Sequence, residues 1–158
     1  MKQQCHISFI YLGWIIAGGG VIIYSLLGNY LQAGIWIIMI PLAMWLYVKY
    51  FPSLSTMMGY GSVEDQPATN IIPSTAEVKL YTGIGCPFCP IVKKRLVELQ
   101  TKMGFQLQEF DVTLKPDVIT SKGIRALPVI EINGQFHVGN ATSEQLVAFI
   151  TENSSRKK

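Results

Sequence analysis

Acidic side chains are missing from the first 63 residues and basic ones nearly so. Lys2 and Lys49 are the formally charged residues there, and all ten Asp and Glu lie at or after Glu64. A stretch so poor in charge cannot present a solvated surface, which excludes an ordinary water-soluble body for that part. Cysteine is scarce as well. Three residues make one pair and one leftover, too few for a disulfide-stapled secreted domain. Histidine is scarcer still: Cys5, His6 and His137 are the remaining candidates to complete a four-ligand zinc site around any cysteine pair, and two of them precede an apolar run, so no metal is expected. The net charge of +3 is matched by Arg156, Lys157 and Lys158 at the tail, which leaves no case for a nucleic-acid partner.

What the chain does have is apolar length. It is 49% hydrophobic, with a mean hydropathy of +0.32. Residues 7–27 carry no charge, and residues 31–51 carry Lys49 alone. Each run is long enough to cross ~30 Å of hydrocarbon as a helix. Tyr11, Trp14, Tyr24 and Tyr30 lie near the run ends, with Trp45, Tyr47 and Tyr50, as interfacial aromatics do. Gly28-Asn29-Tyr30 leaves room only for a tight helical turn, so residues 1–51 read as a two-pass membrane anchor rather than a signal peptide. Gly18-Gly19-Gly20 suits either close packing on the second helix or a weak, flexible point, and Pro41 is expected to kink that helix. Two crossings put both ends on one side. Lys2 and Lys49 flank the hairpin there, so the positive-inside bias places the rest of the chain in the cytoplasm, anchored in an inner or plasma membrane. Residues 52–75, rich in Ser, Thr, Gly and Pro, read as a flexible linker, with Leu54, Met57 and Met58 able to lie on the bilayer; residues 154–158 read as a frayed basic tail.

Chemistry is concentrated in residues 78–95. Val78 to Thr82 predicts a strand stopped by Gly83 and Gly85, and Pro87 to Lys102 predicts a helix with Pro87 at its first position. Cys86 then sits at the helix N-cap, where free amides and the positive dipole end favour a thiolate. Cys89 lies one turn on and can resolve a mixed disulfide formed on Cys86. A thiol pair exposed at a helix start is a poor place for inert cysteines. Pro90 is unexplained by this reading, since its missing N–H leaves the Cys86 carbonyl without its helical partner. Lys93 and Lys94 are candidates to steady the thiolate, or else solvated face residues. Beyond Gly104 the pattern predicts a parallel strand over 105–112, a short helix from Pro116 to Gly123, a hairpin of 129–132 and 135–138 across Asn133-Gly134, and a last helix over 144–151 capped by Ser143. His137 reads as a surface strand residue.

Cys86-Pro87-Phe88-Cys89 after the first strand, with Gly123-Ile124-Arg125-Ala126-Leu127-Pro128 before the hairpin, resembles the thioredoxin/glutaredoxin superfamily over about Ala76 to Asn153. The resemblance implies an α/β domain over 76–153 with a mixed four-stranded sheet flanked by helices in the order β-α-β-α-β-β-α. It implies a redox-active Cys86–Cys89 disulfide, and a cis Pro128 that turns the Leu127 backbone toward an extended substrate. Pro87, Phe88, Leu127, Pro128 and Gly139 are thereby the expected substrate-binding residues. Departures are plain. Gly85 stands where thioredoxins carry Trp, and Leu80 stands where they carry a buried acid, leaving a water or Lys79 to serve. Gly139-Asn140-Ala141-Thr142 lacks the Asp of the glutaredoxin glutathione site, although Gly139 still allows close backbone approach.

The expected function is therefore a membrane-tethered dithiol–disulfide oxidoreductase whose partner is a disulfide-containing protein. No cofactor is required, and glutathione is the one small molecule left open. The rivals are a glutathione-dependent glutaredoxin, a glutathione-assisted iron–sulfur site on Cys86, and a non-enzymatic docking or sensing module of a membrane complex.

Overall fold

The computed structural model describes residues 3–55, 57, 65–66, 68–69 and 71–154. Lys2, Met58, much of the 52–75 connection and the tail beyond Ser154 lie outside the described residues. The chain opens with a two-residue strand β1 (Cys5–His6), then α1 (Ile7–Leu26) and α2 (Tyr30–Leu54). After the connection come β2 (Glu77–Thr82), α3 (Cys89–Met103), β3 (Gln106–Asp111), α4 (Pro116–Lys122), β4 (Ala126–Leu127), β5 (Val129–Ile132), β6 (Gln135–Val138) and α5 (Ser143–Ser154).

Both apolar runs are helical and are long and apolar enough to cross a membrane, with window hydropathies of 1.9 and 1.8. Their outer surface is bare hydrocarbon: Phe9, Ile15, Leu26, Leu31 and Ile38 are all exposed. Of the three consecutive glycines, Gly20 meets the second helix, where a Cβ would lie 3.3 Å from the Trp36 ring, whereas Gly18 and Gly19 face open space. α2 is one continuous helical segment through Pro41 and ends at Leu54, three residues beyond the expected Phe51.

The main sheet has the order β3-β2-β5-β6, with β2 and β3 parallel and the other pairs antiparallel. Alternation along the strands separates two apolar layers. Val78 and Leu80 of β2, with Ile130 and Ile132 of β5, face α3 and α5 and pack on Val92, Leu96, Leu99, Leu146 and Ile150. Tyr81 and Val129 face the opposite side, with Phe110, Val118 and Ile119. Asn133 (φ 48°) and Gly134 (φ 79°) make the hairpin turn between β5 and β6, a conformation matched to the twist of the strands.

Three local expectations are corrected. α3 begins at Cys89, with Phe88 as its N-cap, not at Pro87. Pro90 explains this: it occupies the first turn, where no intrahelical N–H partner is required, so its ring costs no hydrogen bond. Cys86 consequently lies in the turn before the helix, its N–H donated to the Gly83 carbonyl at 3.1 Å. The cap of α5 is Thr142 rather than Ser143. The Thr142 hydroxyl accepts the Gln145 N–H at 3.2 Å and the Gln145 side chain accepts the Thr142 N–H at 3.0 Å, a reciprocal capping box.

The connection also touches the domain at several described positions. Asp65 pairs with the buried Arg95 at 3.0 Å and accepts the Ser143 N–H. Ala68 and Ile71 pack against the core, and the Ser74 N–H is donated to the Met103 carbonyl at 2.8 Å.

Glu131 is buried on the α4 side of the sheet. It accepts the Tyr81 hydroxyl at 2.5 Å and the Lys122 ammonium at 2.7 and 2.9 Å. Burial pushes its carboxyl up, but the hydrogen bonds from Lys122 and Tyr81 outweigh burial and hold it below its ordinary 4.5. A carboxyl depressed in the folded state contributes stability above its unfolded value, and that contribution is lost as pH falls through the folded one. Glu131→Gln is expected to lower unfolding free energy by about 2 kcal/mol at pH 7. The difference from the parent chain should shrink steadily below the ordinary 4.5 in denaturant titrations across pH.

Candidate functional site

Cys86 and Cys89 are joined as a disulfide, with Cα atoms 5.5 Å apart, between the end of β2 and the first turn of α3. The loop that holds them is tied down locally. The Ile84 N–H reaches the Thr113 hydroxyl at 2.9 Å, and Thr113 is itself held by Asp111 at 2.8 Å. Gly85 adopts φ +90° with Met44 of α2 against it, a Cβ there lying 2.6 Å from Met44 Cε. The backbone and the neighbouring helix together account for glycine at the position before Cys86.

The pair is not exposed. Cys86 is 2% and Cys89 4% exposed, because the two N-terminal helices pack on this end of the domain. Met44, Val48 and Phe51 stand at i, i+4 and i+7 on one face of α2. Met44 covers Gly85, Val48 lines the cleft beside the cysteines, and Phe51 meets Phe88 edge-on at 4.8 Å. Ile7 and Ile10 of α1 join the same apolar cluster. Pro87, Phe88, Leu127, Pro128 and Gly139 are all buried here. Phe88 therefore touches α2 rather than solvent.

The Leu127–Pro128 peptide is cis, and the Pro128 carbonyl accepts the Gly139 N–H at 2.8 Å. The outer edge of β4 is paired with β1, in the register Cys5 to Leu127 and His6 to Ala126. That pairing was not foreseen; two residues are too few to show a strand period. Burial pushes the Cys5 thiol up.

A cleft of about 320 Å³ opens beside the disulfide, lined by Cys86, Cys89, Lys93, Glu109 and Asp111. Lys93 pairs with Glu109 at 2.5 Å, and the Thr82 hydroxyl is donated to Glu109 at 3.3 Å. Lys94 instead points out toward Glu98 at 4.0 Å, and Lys79 pairs with Glu77 at 3.5 Å, so neither lines the cleft. Glu109 is a residue that sequence reasoning missed. It stands directly across from Leu80 in the parallel register. An acid thus lines the cleft from the neighbouring strand where β2 carries Leu80, and the alternation of β3 with Asp111 two residues on was the available signal. His137 packs beside Phe149 at 5.7 Å and is half-buried; burial lowers its pKa. Among the described residues, no three His, Cys, Asp or Glu side chains group as metal ligands.

A cysteine pair leading into a helix after the first strand, beside a cis-proline on a mixed four-stranded sheet, defines a thioredoxin-like redox domain. Comparison with known proteins agrees. Residues 77–151 match the family described as Glutaredoxin-like domain (DUF836). The chain is 32% identical over 80 residues to a thioredoxin of Methanocaldococcus jannaschii, covering 49% of this chain and 94% of that protein. It is 33% identical over 69 residues to an uncharacterised protein of Mycobacterium tuberculosis, covering 40% of this chain and 70% of the relative. Among solved structures, the NTD_N/C domain of alkylhydroperoxide reductase AhpF from Enterococcus faecalis shares the fold, with a TM-score of 0.50 at 18% identity over 65% of this chain and 53% of that one. Through its C-terminal half the chain belongs to the thioredoxin/glutaredoxin superfamily.

Proposed function

We propose that the protein is a membrane-tethered thiol–disulfide oxidoreductase that reduces protein disulfides. The observation that carries this reading is the Cys86–Cys89 pair set between the start of α3 and the Leu127–Pro128 loop. In the dithiol form, the Cys86 thiolate attacks one sulfur of a substrate disulfide. A Cys86–substrate mixed disulfide forms, and the other substrate sulfur leaves as a thiolate. Cys89, deprotonated, then attacks Cys86 Sγ, restoring the Cys86–Cys89 disulfide and releasing the second substrate thiolate. Two electrons pass to the substrate, the two thiol protons end on its sulfurs, and an external thiol reductant resets the pair. The bilayer is the second partner, through α1 and α2, and the charge of Lys2 and Lys49 supports a cytoplasmic redox domain.

Glu109 is the proton acceptor for Cys89 in this scheme, by its place in the cleft. Glu109→Gln is expected to slow the resolving step by about tenfold to a hundredfold. Quenched-flow trapping of the mixed disulfide, repeated across pH, reads this directly; a resolving rate and pH profile equal to the parent's assign Glu109 to structure alone.

The test of the function is reduction of insulin by the detergent-solubilised full chain, supplied with dithiothreitol. A parallel assay on a glutathione mixed disulfide, with and without free glutathione, separates this reading from the glutaredoxin one, which the family match at 77–151 favours. Turnover that requires glutathione decides for the glutaredoxin. No turnover in either assay decides for a docking module.

A further inference from the structure

The strand β4 is two residues long, and its outer edge would be bare without β1. An edge of unpaired N–H and C=O groups beside a reactive disulfide is a template for any extended segment. Here it is already filled, from within the chain, over five consecutive residues. The Gln3 carbonyl accepts the Asn140 N–H at 2.7 Å, and the Gln3 side-chain carbonyl accepts the Asn140 side-chain amide at 2.5 Å. Cys5 and His6 pair with Leu127 and Ala126, and the Ile7 N–H is donated to the Arg125 carbonyl at 3.2 Å. Gly139 gives the close approach: a Cβ there would stand 3.0 Å from the Gln3 carbonyl oxygen. Asn140 is fixed in turn by the Arg95 guanidinium at 2.7 Å.

We infer that residues 3–7 are a built-in occupant of the peptide-docking edge, and that a protein substrate must displace them to reach Cys86. The inference rests on the proposed disulfide reduction for what the edge is used for; the occupancy itself rests on the contacts above. Main-chain pairing supplies most of the recognition, so the competing partner is an extended segment of a disulfide-bearing protein in the same antiparallel register, with little demand on its side chains. Cys5, opposite Leu127, marks the place of the residue that such a segment would set there. The segment leads straight into α1, so its release is coupled to the seating of the helical hairpin on the domain.

The experiment uses the full chain in detergent, reduced and freed of reductant. Two measurements are made: the alkylation rate of Cys86 with iodoacetamide, read by mass spectrometry, and the KM for an extended disulfide-bonded peptide. Two variants loosen the strand. Deletion of residues 2–4 removes the Gln3 contacts and leaves every buried side chain of the cluster in place. Ile7→Pro removes the N–H given to Arg125 at a first helical position that tolerates proline. The deletion, which removes two hydrogen bonds from the closed state, is expected to alkylate about tenfold faster and to show a KM lowered by about the same factor at unchanged kcat; Ile7→Pro, which removes one, is expected to move both about threefold. Alkylation and KM equal to the parent's overturn the occupancy, and the deletion decides if Ile7→Pro alters helix content. Faster alkylation with no turnover in any form overturns the disulfide-reduction reading and upholds the occupancy. Turnover with unchanged alkylation does the reverse.

Discussion

Cys86→Ser is expected to abolish disulfide reduction, lowering turnover at least roughly a thousandfold, because the alcohol left behind is not ionised near neutral pH and cannot open a disulfide. Cys89→Ser is expected to behave differently. The first exchange still occurs, but nothing intramolecular releases the captured substrate, so a covalent adduct through Cys86 accumulates and turnover falls to the rate at which added thiol removes it. The contrast is the informative part. Both cysteines are buried and both line one cleft, so burial alone does not separate their roles. Their placement does: Cys86 precedes the first turn of α3, toward the positive end of the helix dipole, whereas Cys89 is the first residue of that helix. Gel-shift analysis of adducts with a labelled disulfide substrate checks this. Adducts on Cys86→Ser but not on Cys89→Ser would reverse the assignment.

Phe51→Ala is expected to have the second largest effect. Phe51 has no exposed surface, meets Phe88 at 4.8 Å and Tyr47 at 5.6 Å, and is the last large apolar side chain of the α2 face that covers the cysteines. Truncating a fully buried phenylalanine costs about 3 kcal/mol or more, part of it for the cavity left behind. Spent on the contact between hairpin and domain, that loss shifts the seated-to-open ratio about a hundredfold. The alkylation rate of Cys86 should rise accordingly, with the far-UV spectrum of the domain unchanged, since the sheet and its α3–α5 layer do not include Phe51. Ile38→Ala, on an outward-facing position of the same helix, is the control and should leave the rate alone.

Much of this was legible in the residues themselves. Local chemistry announced the strand–turn–helix around the cysteines, the Asn133-Gly134 hairpin and the two apolar helices, because each rests on a short run of propensity or on a turn that few residues can make. Pro90 conflicts with a helix that starts at Pro87. The conflict dissolved once the helix start moved to Cys89, where the ring obstructs nothing. What stayed hidden was contact between distant segments. Met44, Val48 and Phe51 spell out one face of α2, but nearly every residue around them is apolar, so periodicity could not single that face out. The burial of Cys86, the pairing of Cys5 with Leu127 and the arrival of Glu109 opposite Leu80 each depend on which elements meet, and no local pattern states that.

The seating of the hairpin also limits how deep it can reach. The turns of α2 from Met44 onward lie along the domain, as does the start of α1 through Ile10. What remains free, from Leu12 to Leu26 and from Tyr30 to Ala43, is about 21–23 Å long at 1.5 Å per residue, short of the ~30 Å of a typical hydrocarbon layer. With the proposed membrane tether, a hairpin of that free length would draw the domain down until the disulfide lies among the lipid headgroups. For the proposed disulfide reduction, the cysteines within reach would then be those close to the lipid surface, presented sideways along the sheet of headgroups rather than from the bulk water above.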